Sequence, residues 1–387
     1  MAADDIVIVG YSELRNSFRS LRSVYDLAGE VFSDLLQSTG VEKDAIDGFC
    51  TTASLSEGQH LFHTSDLAEV LGLSLDWFQT TNIGGSSVLS GVAAAAAALR
   101  GGQCEIAVVL SADAPSSALN LKFASYRTQF LDLAGIRRPP DAFGLLLRAY
   151  ETRYELDPRA LGKIAIALRE GALLNDNALP KLRRPLTERE YLEGRLVADP
   201  LRMLDSVMFC DGGNAIMLTT ERRARTFSRK MVRIASYSER TGHRSAEAMP
   251  DVLDTGFSVA GPKALQRAGL TPNKVSMLQA YDDFTIAVLL QLEQLGFCDR
   301  GSGSNYVLAT DFSAKGDLPL NTGGGQLSAG QPGLSAGGLI LVEAIRQLFG
   351  EAGARQIPSP SNAVVTGIGA IPYAGNWLTS SVMVLES

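Results

Sequence analysis

"GGSSVLSGVAAAAAALRGGQCEIAVVLSAD", residues 84–113, is the stretch on which the fold turns. A Gly/Ser turn opens an apolar run, Gly101 and Gly102 stop it, and "IAVVLSAD" follows as a buried strand. The run from Ala93 to Ala98 has no polar face, so it is not a surface helix. Side chains this small let neighbouring backbones approach from several sides, which a helix held between two sheets requires. The pattern returns late in the chain. "NTGGGQLSAGQPGLSAGGLILVEAIRQLFG", residues 321–350, is again a Gly/Ser loop leading into a helix, this one lined by Ala336, Gly337 and Gly338.

Elements on either side fit a duplicated unit. "DIVIVG" reads as a strand, residues 23–41 as an amphipathic helix with a glycine stop, and "IDGFCTTAS" and "WFQTT" as further strands. Strands alternating with helices predict parallel βαβ units. From about residue 114 to 205 charge rises and Pro and Arg cluster ("GIRRPPDAF", "LPKLRRPL"), which predicts an inserted cap of short helices. A strand with an Asp-Gly turn at Asp211 and Gly212 follows. The second half then repeats the first in outline: strand, helix ending at Gly269, strand "SMLQA", helix from "YDDF", Gly/Ser loop, helix, strands. The expectation is an α/β protein with layered sheets and buried central helices, divided into halves 1–220 and 221–387.

Composition narrows the function classes. A net charge of −7 over 387 residues argues against nucleic acid or an anionic membrane surface as partner. No stretch reaches the ~20 apolar residues of a membrane span, and "MAADDIVIVG" lacks a basic signal region, so a cytoplasmic location is expected. Cys50, Cys104, Cys210 and Cys298 are scattered without a CxxC pair, which predicts small buried hydrophobes and neither zinc site nor disulfide framework. "GLSAG" at 333–337 imitates a nucleophile elbow. That chemistry needs a downstream His, and His60, His63 and His243 all precede Ser335. No phosphate-cradling or zinc-hydrolase motif is present.

What remains is a set of polar residues at strand-to-helix junctions: Ser86, Ser87, Tyr281, Asp282, Asp283, Asn321 and Gln331. Such junctions form the ligand crevice of parallel sheets and carry free backbone N–H groups. Helix capping accounts for Asp282 and Asp283, while for Ser86 and Ser87 capping and a functional role stand level. It does not account for the phenol of Tyr281, which in that crevice suits proton transfer or hydrogen bonding.

With these residues in view, nearly the whole chain resembles the thiolase superfamily, in particular its lipid-transfer-protein branch related to sterol-carrier-protein thiolases. Residues 84–113 look like the nucleophile-loop segment. "RRPLTEREYLEGRLVADPLRMLDSVMFCDGGNAIMLTT" resembles the loop-domain exit, and "YDDFTIAVLLQLEQLGFCDRG" and "NTGGGQLSAGQP" are similar to C-terminal motifs. The resemblance implies a duplicated βαβαβαββ unit forming a five-layered αβαβα fold, and a homodimer.

The departures carry the functional reading. The family's acylated cysteine falls at Gly85 or Ser86, the His of its "HDxF" motif at Tyr281, the His of "GHP" at Gln331, and the second cysteine at Gly367. Without the thiolate, covalent acyl transfer has no good nucleophile. A pocket that shelters a CoA-thioester enolate beside a proton carrier suits aldol or retro-aldol cleavage. In this the chain is similar to thiolase-like aldolases of steroid side chains, which work with a small OB-fold/zinc-ribbon partner. Those enzymes have a second tyrosine near the place of Gln331, and Tyr373 is a further loop aromatic. The resemblance thus implies Tyr281 as general acid/base, Gln331 and the Ser86–Ser87 backbone as oxyanion donors, and Asp283 as an orienting neighbour. Asn321, Gly330 and Gly367 complete the expected CoA-contacting set, with coenzyme A entering as part of the substrate and no tightly bound cofactor or metal. Two alternatives stay open: acyl transfer through Ser86 or Ser87, and a non-catalytic acyl-CoA-binding subunit.

Overall fold

The computed structural model describes residues 5–58, 60–118, 128–227, 230–244, 247, 251–369 and 377–387. The first arm comprises β1 (Ile6–Glu13), α1 (Val24–Thr39), β2 (Gly48–Thr52), α2 (His63–Val70), β3 (Trp77–Thr81), α3 (Ser87–Arg100) and β4 (Ile106–Asp113). The cap holds α4 (Thr128–Leu133), α5 (Pro139–Arg153), α6 (Pro158–Leu173), α7 (Glu188–Leu192) and a ribbon of β5 (Leu196–Ala198) with β6 (Leu201–Arg202). Then come β7 (Gly212–Thr220), α8 (Glu221–Ala224), β8 (Val232–Thr241), α9 (Phe257–Arg267), β9 (Leu278–Gln279), α10 (Thr285–Gln294), α11 (Gly303–Ala309), α12 (Gly325–Ala329), α13 (Ala336–Leu348), β10 (Asn362–Gly369) and β11 (Thr379–Glu386).

Strand order exposes the duplication. The large sheet runs β3-β2-β4-β7-β1-β8-β11-β10-β9. From the centre outward, β1-β7-β4-β2-β3 is mirrored by β8-β11-β10-β9, and beyond β9 Leu320 forms a parallel bridge to Leu278 where β3 lies in the first arm. Pairing sense matches as well. β2 runs parallel to β4 and β9 parallel to β10, while β1–β7, β4–β7, β8–β11 and β10–β11 are antiparallel. The arms meet at β1–β8 through Val7–Arg233 and Ile8–Val232 alone, a seam about which the sheet folds.

The small-residue helices lie inside that fold. α3 touches β2, β4 and β7 of one arm and β10 and β11 of the other, and α13 touches β1, β7, β9 and β10. α13 is buried from Ala336 to Gln347. Its glycines are required by contact: a Cβ on Gly338 would meet the Asn214 side chain at 1.8 Å, and one on Gly337 the Gly85 carbonyl oxygen at 2.4 Å. α1 covers β1, β4 and β7 from outside and α9 covers β8 and β11, which gives helix–sheet–helix–sheet–helix layers. α1 is punctuated as its sequence predicts, by a Ser23–Asp26 capping box and a left-handed Gly40.

The cap departs from expectation. α5 and α6 are full helices of 15 and 16 residues rather than short ones. Pro139 and Pro158 stand in their first turns, where a missing N–H costs nothing and the fixed φ favours the helix. Asp211 forms no turn; it is buried in a bridge to Ser17 and accepts bonds from Ser20, Ser116 and Ser117.

Candidate active site at the phenol of Tyr281

Tyr281 lies just beyond β9, and its backbone is fixed on both sides. Its N–H donates to Thr366 Oγ1 at 2.7 Å and its carbonyl accepts from Gln291 Nε2 at 2.8 Å. The Thr366 hydroxyl donates to Gln291 Oε1, closing the triangle between β10 and α10. The ring then crosses to the first arm. A Cβ on Gly85 would sit 2.0 Å from both the phenol oxygen and Cζ. The side-chain space of residue 85 is filled by the phenol of residue 281.

This contact makes Gly85, rather than Ser86, the position that faces the phenol. Of the Ser86–Ser87 backbone donors expected at the oxyanion, the Ser87 N–H is taken by the Gly84 carbonyl. Ser86 Oγ accepts from Ser381 at 3.1 Å and lies against Gly367. Ser87 Oγ donates to the Gly84 carbonyl at 2.6 Å and accepts from Ile83 N–H at 2.9 Å, and the Ser87 N–H is itself bonded to Gly84. Both serines brace the turn, so neither hydroxyl is placed as a nucleophile.

The paired acids divide their work. The N-cap of α10 is Phe284, whose N–H the Asp283 carboxyl draws. Asp282 instead accepts Gln326 N–H at 2.9 Å and Leu327 N–H at 3.1 Å, holding the loop that carries both glutamines of the site. Burial pushes its carboxyl up to about 7, although these N–H groups pull the other way. Asp283 is different: its Oδ1 is buried without a hydrogen-bond partner, and burial followed by the charge of Asp282 raises its pKa. No side-chain bond from Asp283 orients Tyr281; its influence on the phenol is electrostatic.

Asp282 gives a pH prediction. Its folded pKa lies above the ordinary value of 3.8, so the folded chain holds this proton more tightly than the unfolded chain. The group favours folding at low pH, and that contribution fades as pH rises from about 4 to about 7. The unfolding temperature of wild type minus that of Asp282→Asn is therefore expected to fall across this window, as read by thermal denaturation at several pH values.

Gln331 is 8% exposed, and its Nε2 donates to Gln326 Oε1 at 3.2 Å. Its backbone is sewn to the segment before β7, donating to Met208 and accepting from Cys210. Gln326 is the residue that sequence reasoning missed. It is fully buried, its Nε2 has no acceptor, and together with Gln331 it faces the Tyr281 hydroxyl. A buried donor left unpaired costs about 1–3 kcal/mol, and the Gln326 Nε2 beside the phenol is such a donor. Burial raises the phenol's pKa first, with Asp283 and Asp282 adding and the two glutamines opposing. The phenol is therefore protonated at neutral pH.

The residues expected to contact CoA are all buried. Asn321 is fully buried at a positive φ of 41°, and its Nδ2 grips the Ala280 carbonyl at 2.8 Å. Gly330 lies against Cys210, and Gly367 lets β10 approach Ser86 and Ser381. Tyr373 lies outside the described residues. The Cys210 thiol is buried and its pKa driven upward, so it is inert. His60 pairs with Asp66, His63 packs on Tyr25 and His243 faces Asp254. Ser335 is buried and accepts from Ser111, so "GLSAG" presents no nucleophile. Among the described residues no His/Cys/Asp/Glu group is arranged to hold a metal, and no helix is long and apolar enough to cross a membrane. An open groove lined by Tyr25, Asp66, Glu69 and Val70 contains none of the site residues, and its acidic rim is unsuited to an anionic ligand.

The class is now defined: the chain is a thiolase-like α/β protein, and residues 238–387 match the "Thiolase C-terminal domain-like" family model. Its relatives include a CoA lyase and a side-chain-cleaving aldolase. It is 27% identical to a 17-hydroxy-3-oxo-4-pregnene-20-carboxyl-CoA lyase of Mycobacterium tuberculosis, over 97% of this chain and 99% of that one. It is also 27% identical to a steroid side-chain-cleaving aldolase of Thermomonospora curvata, over 95% and 96%. A solved structure titled Ltp2-ChsH2(DUF35) aldolase superposes with a TM-score of 0.86 at 25% identity, covering 99% of this chain and 98% of that one.

Proposed function

We propose that this protein cleaves the Cα–Cβ bond of a β-hydroxyacyl-CoA thioester by a retro-aldol reaction, with no acyl-enzyme. The single observation that carries the reading is the phenol of Tyr281 lying in the side-chain space of residue 85. The β-hydroxyl gives up its proton and becomes a carbonyl, and the Cα–Cβ electron pair passes into the thioester as an enolate. The amide N–H groups of Gln331 and Gln326 stabilise the charge that develops on the thioester oxygen. Tyr281, held protonated, delivers a proton to Cα. Coenzyme A is part of the substrate, and no other cofactor is needed. The inward-facing serine hydroxyls of the turn lend acyl transfer no support.

The relative solved with a DUF35 protein supports an OB-fold/zinc-ribbon acyl-CoA-binding partner here too, and we place the chain as a cytoplasmic homodimer with halves 1–220 and 221–387. The test is a panel of β-hydroxyacyl-CoA thioesters in D2O, with and without a DUF35 partner. The expected products are a free carbonyl compound and a shortened acyl-CoA carrying one deuterium at Cα. Release of free CoA, or binding with no turnover, contradicts the reading.

Gln326 gives a separate prediction. Removing one oxyanion donor costs about 10²–10³ in kcat. Gln326→Leu is expected to lose that much in steady-state assays with little change in KM. An unchanged kcat removes this residue from the mechanism.

A further inference from the structure

The retro-aldol reading needs a base for the β-hydroxyl proton, and Gln331 cannot serve, because an amide does not take up a proton at neutral pH. We propose that Asp283 is this base and that it returns the proton to Tyr281, so the site resets itself within one turnover. The proposal rests on the function argued above.

The geometry points to Asp283 by its idle oxygen. Both carboxylate oxygens of Asp282 accept backbone N–H groups, and Asp205 accepts from Tyr191, Thr285 and Arg202 N–H. Asp283 Oδ1 is buried and accepts nothing. The carboxyl draws the backbone N–H groups of Phe284 and of Asp283 itself, and Oδ1 takes no part in these bonds. The facing segment carries a second idle atom: Ser206 Oγ is buried and unpartnered, while Ser206 bridges to Phe284 and Val207 N–H donates to the Asp283 carbonyl at 3.2 Å. Idle donor and acceptor atoms on bridged segments fit a bound hydroxyl, which donates to the carboxylate and accepts from the serine. Leaving both empty in a closed protein would cost about 1–3 kcal/mol each.

The step balances. The β-hydroxyl O–H bond breaks and its proton goes to Asp283 Oδ1; the oxygen's electron pair forms the new C=O. The Cα–Cβ pair becomes the enolate, Tyr281 protonates Cα, and the Asp283 proton then passes to the Tyr281 phenolate. No oxidant, reductant or external base enters. The charged group acting on Asp283 is Asp282, and those acting on Tyr281 are Asp283 and Asp282. A base must be deprotonated to work, so kcat/KM falls as pH drops through the pKa of Asp283.

The test compares wild type with Asp283→Asn, Asp283→Ala and Tyr281→Phe on a substrate the wild type cleaves. General-base removal costs about 10²–10⁴. Asp283→Asn is expected to lose that much in kcat, keep thioester affinity, and lose the acid limb of the kcat/KM profile. Added formate is expected to restore part of the turnover of Asp283→Ala, an effect that a structural role would not produce. Asp283→Asn within threefold of wild type, with its acid limb intact, overturns the base assignment; a dead Tyr281→Phe beside it leaves retro-aldol chemistry standing. A wild type that binds the thioesters and cleaves none overturns both.

Discussion

Tyr281→Phe is expected to reduce turnover by at least about 10³-fold while the protein still folds and still binds CoA thioesters. The ring's place is set by packing and by backbone bonds that phenylalanine preserves: N–H to Thr366, carbonyl from Gln291, and the face against Gly85. Only the hydroxyl is lost. Gln326 and Gln331 then face a C–H edge that offers no hydrogen-bonding oxygen, a cost of about 1–3 kcal/mol at most. The proton that Cα must receive has no donor left. Stopped-assay kinetics give kcat, and thermal unfolding separates lost chemistry from lost structure.

The second large effect falls on a residue with no side chain. Gly85→Ala is expected to destabilise the protein by about 1–3 kcal/mol or more through overpacking, and to remove most activity by pushing the phenol off its position. The added methyl would stand 2.0 Å from the hydroxyl oxygen, and it cannot retreat, because the Gly85 carbonyl is itself clamped by Gly337. A double-mutant cycle isolates the contact. In a Tyr281→Ala background the same Gly85→Ala change is expected to cost little in chemical denaturation. Equal costs in both backgrounds would mean the two residues do not touch.

The layered fold was legible because its cause is local. Ala93 to Ala98 and Ala336 to Gly338 admit close neighbours on all sides, and that composition has few other uses. Tyr281 was legible because no capping role explains a phenol at a strand exit. The errors share a different cause, which is that polar side chains at turns have several local partners available. Ser86 and Ser87 sit where active-site donors sit, but their hydroxyls turn to Ser381 and to the backbone of their own loop. Asp282 was assigned to the helix beside it and caps α12 instead, some forty residues further along the chain. Gln326 gave no signal, since the idle state of its amide depends on Asp282, Gln331 and Tyr281 meeting in space. The Pro/Arg cluster "GIRRPPDAF" predicts short helices, and Pro139 instead opens a helix of 15 residues.

Intact-mass spectrometry of stoichiometric enzyme during a single turnover tests the central claim most directly. If the phenol has taken the place of the nucleophile, the chain keeps its own mass while a β-hydroxyacyl-CoA is consumed and a carbonyl compound appears. A transient gain equal to an acyl group, with free coenzyme A released in step, would contradict it.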